Sequence, residues 1–185
     1  MSIIPKIYKG VFDIFGIYWQ AYGGWQALFR SFYLHVAVLC SAICYPIWMN
    51  KIDTNWYEVP ISIIPNLLGF TLGGYAILLA FGSEKFIKMI AGPEPDGSAS
   101  PYMEINAAFI HFLIVQSLSL LVGIIGMVWE LKDFVSGFLG FTLFLYVLTT
   151  LVAACMAVFR VAGWFDKHMG DGGGDDCDCN EDSEK

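Results

Sequence analysis

Four apolar runs, 32–49, 61–82, 105–128 and 134–159, leave few folds open to this chain. A helix needs about 20 apolar residues to cross a hydrocarbon layer roughly 30 Å thick. These runs are of that length and far exceed the roughly 9–11 residues of a membrane barrel strand. Inside lipid, only helices and closed barrels satisfy every backbone N–H and C=O. The chain therefore reads as all-α, a polytopic membrane protein of four transmembrane helices. Charge agrees, since only 15% of the 185 residues are charged, against about 25% in soluble domains. The first run contains Pro46, which is tolerable near a helix end. It lacks a small-residue cleavage site, so it reads as a span and not as a signal peptide.

Basic residues give the expected orientation. One side receives Lys6, Lys9, Arg30, Lys85, Lys88, Arg160, Lys167 and Lys185, and the other only Lys51 and Lys132. Eight against two places both termini in the cytoplasm. The outer connections are then "NKIDTNWYEVP" and the short "WELKD", whose Trp and Tyr suit an aromatic belt at the lipid surface.

Three regions follow: a cytoplasmic amphipathic segment (1–30), a four-helix transmembrane bundle (31–160) and an acidic, disordered cytoplasmic tail (161–185). Within 3–22, Lys6, Lys9, Gly10, Asp13, Gly16 and Gln20 share one narrow helical face and the remainder is largely apolar. Such a helix lies in the headgroup layer, packs over the bundle, or does both. Gly23 and Gly24 let the chain turn into the first span. The stretch 83–91 extends the second span, and "GPEPDGSASP" is a loop. The tail explains most of the net charge of −7, because 171–185 hold seven acids against Lys185. The rest carries ten acids and nine bases, with no basic stripe to engage nucleic acid directly.

The second and third runs each carry a stripe of small and polar residues. On the second it comprises Ser62, Asn66, Gly69, Gly73, Ala76 and Ala80, at steps of three and four. On the third it comprises Gln116, Ser119, Gly123 and Gly126. Small residues let helix backbones approach closely in lipid, where hydrophobic force between helices is weak. An amide such as that of Asn66 is costly against lipid. The two stripes are expected to pack on one another or to meet across a subunit interface, which makes a homo-oligomer the expected state.

Chemistry-bearing motifs are sparse. His35 and His111 lie near the cytoplasmic ends of their runs, at depths that would suit a proton relay or a metal. Without a neighbouring carboxylate, hydrogen-bonded structural roles fit them better. Cys177 and Cys179 offer thiolates to a soft metal, but two ligands fall short of four. The five cysteines have no disulfide-framework spacing. No nucleophile elbow, HExxH, phosphate loop or intramembrane carboxylate pair is present, so neither an enzyme nor a cofactor site is expected.

Two functions remain. The first is an oligomeric membrane subunit that senses or scaffolds for a soluble cytoplasmic partner, recruited by the acidic tail. The second is a small oligomeric pore lined by Asn66, Thr71, Gln116 or the histidines. The four-span layout, with "SIIPNLLGFTLGGYAILLAFGSEKF" at 62–86, resembles the membrane subunit of the Kiwa antiphage defence system. That resemblance implies a bacterial inner-membrane location and an antiviral sensor acting with a soluble nucleic-acid-binding effector.

Overall fold

The computed structural model describes residues 6–49, 51–80, 91 and 100–171. Every regular element among them is an α-helix: α1 Lys6–Tyr22, α2 Gly24–Arg30, α3 Phe32–Ile43, α4 Tyr45–Trp48, α5 Glu58–Ala80, α6 Pro101–Val128 and α7 Phe134–Asp171. The windows Glu58–Ile77, Pro101–Val128 and Phe134–Gly163 are each long and apolar enough to cross a membrane. A fourth crossing is available if α2 and α3, bent by 46° at Ser31, count as one span.

The helices pack in the order α3, α7, α6, α5, with α1 laid against α6. Because α5 meets chiefly α6, most of its surface has no partner among the described residues. The core between them is built from Ala37, Ile64, Phe109, Phe112, Phe141, Phe144 and Val147.

Local chemistry sets the ends. The Ser100 hydroxyl accepts the Met103 N–H at the start of α6, with Pro101 in the first turn. Asp133 caps α7, where its carboxylate accepts the Ser136 N–H at 2.9 Å and the Ser136 hydroxyl at 2.6 Å. Those bonds hold the Asp133 carboxyl below its ordinary range. Gly23 (φ 98°) and Gly24 (φ 65°) make the turn between α1 and α2 in left-handed backbone that other residues rarely adopt.

Three expectations are corrected. The first run is no continuous helix over 32–49: α3 ends at Ile43 and one further turn follows from Tyr45. Pro46 has no N–H to offer the Ala42 carbonyl, so the ladder is interrupted there. The acidic tail does not begin at 161, because α7 continues without a break to Asp171. At 38 residues it is about 57 Å long at 1.5 Å per residue. The aromatic belt is met only in part: of the aromatics in the two connections, Trp56 and Tyr57 are buried, at 1% and 5% exposure, whereas Trp129 is 74% exposed. The stretches 81–90, 92–99 and 172–185, which include most of the expected loop and the tail cysteines, lie outside the described residues.

Candidate functional site

At the loop end of the bundle, Trp56 fills a notch cut by two glycines. A Cβ on Gly126 would stand 2.7 Å from the indole, and one on Gly140 would overlap the same ring. The indole N–H donates to the Leu131 carbonyl at 2.7 Å. One turn away, Gly123 accommodates Pro60 and Ile61, and Gly137 accommodates the backbone of Trp48. The Trp48 indole N–H donates to the Ser41 carbonyl at 2.8 Å. The small positions of α6 and α7 thus receive bulky residues of the segment that leads into α5.

The small stripe of α5 does something else. Ser62, Asn66, Gly69, Gly73 and Ala76 are all exposed, and a Cβ on Gly69 or Gly73 would meet nothing within 4 Å. Ala80 ends the helix, its side chain outside the described residues. The face of α5 that packs is Ile64, Leu67, Leu68, Thr71 and Tyr75. At 3.6 residues per turn, the stripe lies about 160° around the helix from that face. Among the described residues, the two stripes therefore do not pack directly on one another. The α6 stripe, by contrast, is inward: Gln116, Ser119, Gly123 and Gly126 are buried.

Between α5 and α6 the polar contacts are few. The Gln116 side-chain N–H donates to the Thr71 hydroxyl at 3.0 Å, and Thr71 donates to the Leu67 carbonyl at 2.7 Å. Tyr75 donates to the Asn106 amide oxygen at 2.6 Å. The Gln116 amide oxygen and the hydroxyls of Ser41, Ser119 and Thr142 are buried with no hydrogen-bond partner. The residues expected to line a pore are dispersed, with Asn66 outside, Thr71 and Gln116 joined inside, and His111 elsewhere.

His111 belongs to an aromatic latch at the opposite end. Its Nδ1 lies 2.7 Å from the Tyr18 hydroxyl, and its Nε2 lies 3.0 Å from the Tyr146 hydroxyl. The Tyr22 ring stacks on the imidazole with centroids 3.8 Å apart, and the Tyr22 and Tyr146 hydroxyls stand 3.4 Å from each other. A neutral imidazole accepts at one nitrogen and donates at the other. Two directions satisfy all three contacts: Tyr18 to Nδ1, Nε2–H to Tyr146 and Tyr146 to Tyr22, or the reverse, with Tyr22 donating to Tyr146, Tyr146 to Nε2 and Nδ1–H to Tyr18. Burial, then the neighbouring Tyr22, pushes the Tyr18 phenol up to about 12, and burial raises Tyr22 as well.

Both imidazole nitrogens are engaged, which leaves none for a metal. His35 is exposed, and its Nδ1–H donates to the Ser31 carbonyl one turn back at 2.7 Å. The two histidines thus have separate, local partners. Among the described residues, no three His, Cys, Asp or Glu side chains come together.

No protein-family model, curated protein or solved structure matches this chain. Its chemistry must be read from its own residues. Sequence reading missed Tyr18, Tyr22 and Tyr146 as partners of His111. One signal was present: Tyr146 puts a hydroxyl in the middle of an apolar run, and such a group needs a partner when buried.

Most of α1 remains uncovered. Tyr18 docks, while Val11, Phe12, Ile14, Phe15 and Ile17 are 50–70% exposed. Rings continue across the glycine turn from Phe15 through Trp19 and Trp25 to Phe29.

Proposed function

We propose that this chain is a multi-pass membrane subunit, both termini cytoplasmic, that assembles with copies of itself and acts as a sensor or scaffold for a soluble cytoplasmic partner. One observation carries the assembly: α5 turns its small stripe, with the Asn66 amide, away from its own bundle. An amide and a GxxxG pair facing lipid are poorly placed, whereas a second helix would cover both.

The uncovered apolar surface of α1 and α2, with Lys9 and Arg30 beside it, suits the headgroup layer of an anionic membrane. The acidic segment 171–185 supplies a charged tether for a basic partner. A bacterial inner-membrane location and an antiviral role follow from the resemblance to the Kiwa membrane subunit alone.

Capture in mild detergent, read by native mass and protein identification, tests this reading. A homo-oligomer with a stoichiometric soluble protein, lost on removing 172–185 or the loop at 92–99, is the expected result. A monomer that captures nothing would refute it.

A further inference from the structure

Between the α1–α3 segment and the α6–α7 pair lies a cavity of about 270 Å³. It sits in the crook of the 46° bend between α2 and α3. Its apolar walls are Ala27, Phe32, Phe112, Ala153 and Ala154, and its polar margin is Tyr22, Ser31, His111 and Thr150. Four alanines, Ala108 being the fourth, and the bend make the space, since larger side chains there would close it.

Hydrogen-bond accounting selects the ligand class. Both nitrogens of His111 are taken by Tyr18 and Tyr146, and the Thr150 hydroxyl donates to the carbonyls of its own helix. Tyr22 turns its hydroxyl to Tyr146. Of the remaining polar groups, the half-buried Ser31 hydroxyl makes no capping bond and the Tyr33 phenol completes the set, so a polar ligand would find few partners. An apolar cavity stays dry, and an engineered one of roughly 150 Å³ takes up benzene. This larger, alanine-floored space is rimmed by Phe32, which is 74% exposed, with Phe29 beside it at 64%.

We propose that the cavity holds one acyl chain of a membrane lipid, with Ser31 placed to meet the ester carbonyl where the chain joins its headgroup. The inference rests on reading this chain as a membrane protein. It also gives the sensor a physical input. Tyr22 lines the cavity and stacks on His111, so an occupying chain supports the docked position of α1.

The full chain is reconstituted in vesicles of phosphatidylethanolamine and phosphatidylglycerol containing a phosphatidylethanolamine with a diazirine in one acyl chain. After illumination, adducts are mapped by peptide mass. Expected are adducts on buried Phe112 and Ala154 besides those on exposed Phe70 and Leu139. Ala153→Leu should abolish the first pair and leave the second, and Ala27→Leu, on α2, should do the same. Labelling confined to exposed residues in the wild-type chain, or cavity labelling unchanged in both variants, would overturn the inference. Absence of adducts everywhere, with release of the protein by alkaline carbonate, would instead reject the membrane reading on which it rests.

Discussion

The Tyr18 hydroxyl and His111 Nδ1 stand 2.7 Å apart, joining residues 93 positions apart in the chain. This bond and the stacking of Tyr22 on the same imidazole anchor an otherwise exposed helix. Loss of one partner of a buried hydrogen bond costs about 1–3 kcal/mol. Tyr18→Phe should therefore loosen α1, read as faster amide exchange over 6–22 with exchange in α6 and α7 unchanged. Unaltered exchange in α1 would mean that the ring alone holds it.

Alkali should release the same helix. The Tyr18 phenol is raised from 10.0 to about 12 by burial and by Tyr22, so its proton is held more tightly in the folded chain. Its contribution is complete below pH 10 and is lost as pH rises through about 12. Protease access at α1, or amide protection there relative to the base-catalysed intrinsic exchange rate, should stay constant to pH 10; above it access should rise and protection fall. Release beginning well below pH 10 would assign the latch to another group.

The glycines divide into two classes with opposite consequences. Gly126→Ala or Gly140→Ala would drive a methyl into the Trp56 ring. Overpacking of this kind costs about 1–3 kcal/mol. Gly69→Ala places its methyl in open space and removes a helix-weakening glycine, worth about 0.5–1 kcal/mol. Thermal unfolding of monomer in detergent should fall for the first pair and hold or rise for the last. Equal losses at all three would contradict the described faces of α5, α6 and α7.

Gln116 gives a less intuitive result. Its amide donates to Thr71, while its oxygen is buried with no partner. Hydrogen bonds between membrane helices average only about 0.6 kcal/mol. Gln116→Leu should thus stay within about 1 kcal/mol of the parent, because it also removes an unpaired acceptor. Gln116→Glu should destabilise much more, since it buries a charge. A large loss for Gln116→Leu, measured by denaturant titration, would reveal a partner for that oxygen.

The sequence made helices and faces legible, but not what each face meets. Runs of apolar residues marked α5, α6 and α7, and the paired glycines marked the turn after α1. The break at Cys44 was masked by an unbroken apolar run, in which only Pro46 hinted at an interrupted ladder. Trp56 has an apolar body and a polar edge, which suits a lipid interface and a glycine notch equally. Its N–H acceptor, Leu131, lies 75 residues away, beyond any local pattern. Periodicity likewise identified the small stripe of α5, yet a stripe carries no record of its neighbour. The Tyr18–His111–Tyr146 latch was hidden for the same reason, as three residues on three helices share no spacing rule.

Self-assembly through the outward face of α5 is the central claim, and native mass measurement of Gly73→Leu tests it most directly. The substitution meets no neighbour within its own chain, so the monomer fold should persist. The expected result is a wild-type oligomer and a Gly73→Leu monomer of unchanged helix content. An oligomer of the same subunit number in both would contradict the interface.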